Sequence, residues 1–318
     1  MILSGGLTFS GGLTVTPQPP SPNAYAIFGY GSTGGYAGSL SITNLVSDTG
    51  VVATDTTGVG SARYTLAAAG YGTDKAIFGY GVTLAGSETA ITNKVSNTGV
   101  VATDTAGVGL ARYILAAAGY GTDKAIFGYG QAPVVDNVST TNLVSNTGVV
   151  AANTTGVGTA RAYLAAAGYG TDKAIFGYGI YGPVSITNLV SNTGVVGNDV
   201  TGVGTARFNL AAAGYGTDKA IFGYGNTTGA PGAVQSITNL VSNTGVVATN
   251  TTGVGTARDS LAAATYGSDK AIFGYGNNGT PPGLSLTNLV SNTGVVASDT
   301  TGVGSARLSL AASSYGSA

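Results

Sequence analysis

The 318-residue chain contains no cysteine, no histidine and no tryptophan. Without cysteine there is no disulfide framework and no thiolate metal site. Without histidine as well, the common nucleophile–base pairs and transition-metal ligands are missing. Charge is sparse: only 8% of residues carry one, 12 basic against 13 acidic, for a net charge of −1. That balance offers no basic patch for nucleic acid and no polybasic segment for an anionic membrane surface. Glu88 is the single glutamate, and no carboxylate pair recurs as acid–base hydrolysis would require. No Gly-rich loop has the Lys-Ser/Thr partner of a phosphate site. No apolar run is long enough to span a membrane. Residues 1–22 lack a basic start and a continuous apolar stretch, so they do not read as a secretory signal. These absences predict a protein that is not an enzyme. It is expected to have no catalytic residues, no metal, no cofactor, no nucleic-acid partner and no membrane insertion.

What the chain does have is one sentence written six times. Ala-Ile-Phe-Gly-Tyr-Gly begins at Ala26, Ala76, Ala125, Ala174, Ala220 and Ala271, in steps of 50, 49, 49, 46 and 51 residues. An Ala-Arg pair keeps the same rhythm, ending at Arg63, Arg112, Arg161, Arg207, Arg258 and Arg307. A period of this length marks a repeat architecture whose units cannot bury an apolar face alone. Within one unit, Leu115–Ala118 is short, apolar and small, Gly119–Asp123 is a turn cluster, and Lys124–Tyr129 is rich in strand formers. Thr141–Val144 reads as a third strand, Ser145-Asn146-Thr147-Gly148 as a tight turn, and Val149-Val150-Ala151 as the start of a fourth. Four short strands in about 49 residues fit an antiparallel meander.

The expected fold is therefore all-β: a six-bladed β-propeller of four-stranded antiparallel blades over residues 23–318. The alanine-rich strand is expected to be innermost, where small side chains let six strands approach one axis. The first unit lacks that strand, and the chain ends with a copy of it, Leu308–Ser313. The C-terminal strand is thus expected to complete the N-terminal blade and to remove both free edges.

The order of elements resembles the kelch repeat. Arg112, the small-residue strand Leu115–Ala118, Phe127 with Gly128 and Gly130, and Thr141–Val144 stand where that family has its arginine, small strand, aromatic strand with paired glycines, and third strand. The resemblance runs over roughly residues 24–316, with Gly-Tyr-Gly in place of Gly-Gly and no tryptophan. It implies the architecture and no particular partner. Near-identical units with Gly/Thr/Asn-rich turns, and the leader Ser4–Thr16, are also similar to virion appendage proteins of tailed bacteriophages. That second resemblance implies location in a virion, which would be reached by lysis without a signal.

In the leader, Leu3, Leu7, Phe9, Leu13 and Val15 fall on odd positions, a strand pattern, and Gly11-Gly12 suits a hairpin turn. A proline-rich spacer, Pro17–Pro22, follows. Residues 1–22 are expected to be an anchor arm that adds a strand to another virion protein.

Comparison of the six units separates constant from variable positions. Gly-Thr-Asp-Lys and Ser-Asn-Thr-Gly turns barely change, whereas the loops at about 32–41, 82–90, 131–139, 180–185, 226–236 and 277–285 change in length and content. The pair after each arginine varies too. In a meander both variable regions emerge on one face, the constant turns on the other. Tyr64, Tyr113, Tyr163 and Phe208 are expected to ring the mouth of the channel there, with Asp259, Asn226, Asn277 and Asn278 as further ligand-binding candidates. Such a face suits a host-surface glycan or protein. The leading expectation is a non-enzymatic virion component, a capsid- or tail-attached appendage or decoration with a binding head. The alternative is a cellular kelch-like protein–protein interaction module. The recurring arginines are expected to tie neighbouring units together through carbonyl groups.

Overall fold

In a computed structural model of the chain, residues 25–230, 233–279 and 283–316 are described, together with two short strands of the leader. Those strands, Leu7–Thr8 and Thr14–Val15, pair antiparallel with Leu7 opposite Val15. The candidate anchor residues Leu3, Phe9 and Leu13 lie outside the described residues.

The protein is all-β, built mainly of small antiparallel sheets. Six of these have three strands in the order inner, middle, outer. One consists of Ala67–Tyr71, Lys75–Gly79 and Thr92–Val95. The next is Ala116–Tyr120, Lys124–Gly128 and Thr141–Val144. Three more follow the same plan, with inner strands Ala165–Tyr169, Ala211–Tyr215 and Ala262–Tyr266. The sixth joins the two ends of the repeat region. Ala311–Tyr315 pairs with Tyr25–Gly29, which pairs with Thr43–Val46. Each inner strand lies against the inner strand of the next sheet, and the series returns from Ala311–Tyr315 to Ala67–Tyr71.

The sheets depart from the expected four-strand pattern. The fourth segment touches the third by two isolated bridges, Val46 with Val52 and Thr43 with Thr56. The bridges are one residue out of register, so a bulge separates them. Asn44 causes the interruption: its Nδ2 donates to the Ala53 carbonyl at 3.0 Å and to Asp55 Oδ1 at 2.9 Å. A side chain thus takes a carbonyl that a regular ladder would give to backbone. The same insertion recurs at Asn93, Asn142, Asn188, Asn239 and Asn288.

No sheet owns a core. The apolar clusters each join two neighbours: Ile77 and Tyr80 of one sheet pack with Leu115, Phe127 and Val144 of the next. Ala26, Phe28 and Val46 pack with Ile272 and Tyr275 in the same way. The glycine of Ala-Ile-Phe-Gly-Tyr-Gly makes room for this. A Cβ on Gly79 would sit 2.8 Å from Phe127 Cζ of the next sheet. The relation repeats around the molecule, ending with Gly274 against Phe28. The tyrosine after that glycine, as at Tyr30 with φ 64°, takes a left-handed conformation in every unit. That costs about 1–2 kcal/mol per residue and is offset by complete burial. The Tyr30 hydroxyl donates to the Val59 carbonyl at 3.1 Å.

Each arginine closes the seam between two sheets. Arg63 is fully buried. Its guanidinium lies 4.5 Å from the centre of the Tyr30 ring in one sheet. In the other sheet its Nε donates to the Tyr80 carbonyl at 3.0 Å, and an Nη donates to Asn93 Oδ1. Burial lowers the Arg63 pKa, opposed by Tyr30 and Asp104, and burial pushes the Tyr30 phenol up to about 12. The guanidinium therefore stays cationic at neutral pH and the phenol neutral, the combination a cation–π contact needs.

Candidate functional site

The arginine leads into a four-residue element, Arg-X-Y-Leu, that shapes one end of the molecule. The Y residues are Thr65, Ile114, Tyr163, Asn209, Ser260 and Ser309, all with φ between 48° and 55°. Their backbones form a continuous hydrogen-bonded chain. Ile114 N–H donates to Thr65 O, Tyr163 to Ile114, Asn209 to Tyr163, Ser260 to Asn209, Ser309 to Ser260 and Thr65 to Ser309, at 2.7–2.9 Å. Six links return to the starting residue. Around them the Y residues and the following leucines line a small cavity of about 80 Å³.

The X residues pair with the first residue after Gly-Tyr-Gly, so both variable regions lie side by side. Tyr64 bridges Val82, Tyr113 bridges Gln131, Phe208 bridges Asn226 and Asp259 bridges Asn277. This changes the aromatic ring expected at the mouth. Of Tyr64, Tyr113, Tyr163 and Phe208, only Tyr163 is a Y residue lining the axial cavity. The other three occupy X. The cause is a one-residue offset: one unit reads Ala162-Tyr163 where Tyr64-Thr65, Tyr113-Ile114 and Phe208-Asn209 carry the aromatic first.

Five of the candidate residues come together instead on one side of that end. The Tyr163 and Phe208 rings meet edge to face at 5.9 Å. Phe208 exchanges both backbone hydrogen bonds with Asn226. Asn226 Nδ2 donates to Asp259 Oδ2 at 3.1 Å, and Asp259 exchanges backbone hydrogen bonds with Asn277. Asp259 is buried, and burial pushes its carboxyl above the usual range, against the hydrogen bonds from Asn226 and Ser260. Asn278 is exposed at the loop tip. Tyr64 and Tyr113 sit in other sheets, where the Tyr113 hydroxyl is 2.8 Å from Gln131 Oε1. The variable loops also expose apolar side chains: Val134 at 94%, Tyr181 at 74% and Leu84 at 56%.

The opposite end carries the constant turns and the larger cavity, about 350 Å³. Its wall includes Gly70, Gly119, Gly168 and Gly214 of the inner strands, hydroxyls from Thr73, Thr122, Thr171, Thr217 and Ser268, and Lys124, Lys173 and Lys219. Sequence reasoning treats the Asp-Lys dipeptides as solvated turn residues and does not find this cavity. Its one signal is the glycine inside four of the six inner strands, where a turn has no claim on it.

The aspartates that follow the outer strands are used within the seams between sheets. Asp104 accepts from the Ser61 hydroxyl at 2.6 Å and from Asn93 Nδ2 at 2.9 Å, with Arg63 3.8 Å away. Burial opposes its ionisation, but these hydrogen bonds and Arg63 hold its carboxyl below the ordinary value. Asp55, Asp199 and Asp299 repeat the arrangement. Among the described residues no group of three acidic side chains could hold a metal, and no helix is long and apolar enough to cross a membrane. Compared with known proteins, the chain matches no protein-family model and no curated relative.

Proposed function

We propose that the chain is a non-enzymatic binding head: a six-bladed, kelch-like β-propeller carried on an N-terminal arm and displayed on a phage virion. Its variable end engages a host-surface glycan or protein, and residues 1–22 attach it to other virion proteins. The propeller reading is supported by the cyclic order of inner-strand contacts and by the six-link hydrogen-bond chain. The binding reading is carried by one observation. The repeated residues are absorbed in seams between sheets, while the residues that differ among units gather at a single end with exposed Val134, Tyr181 and Leu84. Function concentrates on varied loops held by a rigid scaffold. A ring without histidine or cysteine suits recognition better than turnover.

A glycan and host-envelope binding screen with the full chain tests this. Binding should be lost when loops 226–236 and 277–285 are exchanged for the loop of another unit, and retained when residues 1–16 are removed. Attachment to particles should show the reverse dependence. Binding indifferent to the loop exchange would overturn the assignment of the variable end. Recovery of the chain only in host-cell complexes, never with particles, would favour a cellular interaction module.

A further inference from the structure

The constant end of the axis has features that packing does not explain. Gly70, Gly119, Gly168 and Gly214 occupy the fourth position of their inner strands. None has a positive φ. A Cβ on Gly70 would find its nearest atom, the Ser314 carbonyl, at 3.5 Å, an ordinary contact. The two remaining sheets carry Thr265 and Ser314 at this position without disturbing their pairing. At Gly70, Gly119 and Gly168 the backbone and the neighbours therefore tolerate a Cβ, while at Gly214 it would come within 3.2 Å of Thr265 Oγ1. What the glycines do is widen the axial cavity and bare its wall, as a strand glycine does where a ligand approaches the backbone.

The charges at the mouth are sorted. Lys124, Lys173 and Lys219 line the wall, and their ion-pair partners Asp123, Asp172 and Asp218 do not. The carboxylates face the outer turns: Asp218 accepts from Asn243 Nδ2, and Asp269 from Asn292 Nδ2, each at 3.1 Å. The lysines thus border the cavity, each with its ammonium 2.7–2.8 Å from an aspartate that does not. The threonine and serine residues stand in the turns between inner and middle strands, and the lysines open the middle strands, opposite the last residue of each inner strand.

We propose that this cavity binds an acidic saccharide, a sugar unit carrying a carboxylate. The inner lysines meet the carboxylate, and the hydroxyls and bared backbone meet the sugar hydroxyls. The volume of about 350 Å³ is at the small end of ligand pockets and larger than an inorganic anion fills. Tyr71, Tyr120, Tyr169 and Tyr215 also border the cavity, but each is nearly fully buried between sheets, so the accessible wall is mainly polar. This site lies at the far end of the axis from the variable loops, and it stands or falls separately from their assignment.

Titration calorimetry of the full chain with trigalacturonate, a glucuronate oligomer and sialyllactose tests the proposal. Inorganic phosphate and a neutral galactose oligomer serve as comparisons. Saturable binding of at least one acidic sugar is expected, at least tenfold tighter than the neutral oligomer and weakened by added salt. The triple variant Lys124→Gln, Lys173→Gln, Lys219→Gln should lower that affinity tenfold or more with an unchanged melting temperature. Gly119→Val should also lower it, while Tyr181→Ala at the variable end should leave it alone. Failure to bind any of the three sugars overturns the proposal, as does phosphate binding of equal strength or indifference to the lysine variant. Loss on Tyr181→Ala would place the sugar at the variable end and equally overturn it.

Discussion

Two glycines nine residues apart in one unit do opposite work, and substitution should separate them. Gly79→Ala drives a methyl to within 2.8 Å of Phe127 Cζ, and overpacking of this kind costs about 1–3 kcal/mol. Gly70→Ala meets only ordinary contacts and removes unfolded-state freedom, so it should stabilise by about 0.4–1 kcal/mol. Chemical denaturation of the two variants should show shifts of opposite sign. A second residue-scale weakness lies at Arg112. Four of the other arginines have a carboxylate nearby and a hydroxyl residue two positions before them, and Arg207 keeps the hydroxyl of Thr205 beside Asn250. The Arg112 unit instead has Asn153 and Leu110, and Arg112 Nε and Nη2 and Asn142 Oδ1 lack partners. Restoring the pattern with Leu110→Thr and Asn153→Asp should raise stability by about 1–3 kcal/mol. A double-mutant cycle should show most of the gain only when both are present. Asp259 supplies a pH test. Its folded pKa is raised by burial, so its contribution to stability is fully present below the unfolded value of about 3.9 and lost as pH rises through the folded value. Asp259→Asn, which mimics the neutral form, should therefore raise the melting temperature at pH 7. That advantage should fade towards pH 4.

At the scale of the element, the unit is a seam as much as a sheet. Its arginine stacks on one neighbour's tyrosine and bonds its own sheet's carbonyl and asparagine. Arg63→Met should cost about 3–5 kcal/mol, because the Asn93 and Tyr80 acceptors and Asp104 lose a buried cationic partner. Guanidinium denaturation would measure this. The strands, their order and the arginine's tying role were legible in the sequence, because each rests on a local pattern repeated six times. The run of small apolar residues Leu115–Ala118 and the turn at Ser145–Gly148 are examples. The bulged fourth segment was not legible. It depends on Asn44 reaching Ala53 across the strand gap, and a side chain competing for a carbonyl leaves no periodic trace. The placement of Tyr64, Tyr113 and Phe208 was hidden by a single-residue offset relative to Tyr163. The axial cavity was hidden because its evidence is the absence of side chains at Gly70, Gly119, Gly168 and Gly214.

For the whole molecule, everything turns on closure. An open stack would leave Tyr25–Gly29 with an unpaired edge and the hydrogen-bond chain through Thr65 and Ser309 broken. With Ala311–Tyr315 in place, the first and last segments of the repeat region share one sheet, and the seam between Phe28 and Tyr275 matches the seams elsewhere. Both proposed binding ends need this, since each is lined by residues from all six inner elements. The absence of cysteine allows a direct test with one introduced pair. Ala26 and Ser314 stand opposite each other in the register, within the span a disulfide can bridge. In the double variant Ala26→Cys, Ser314→Cys, mild oxidation should yield a monomer with an internal cross-link and a raised melting temperature. Thiols that stay reduced in the folded protein, or that link only between molecules, would contradict the proposed closed ring.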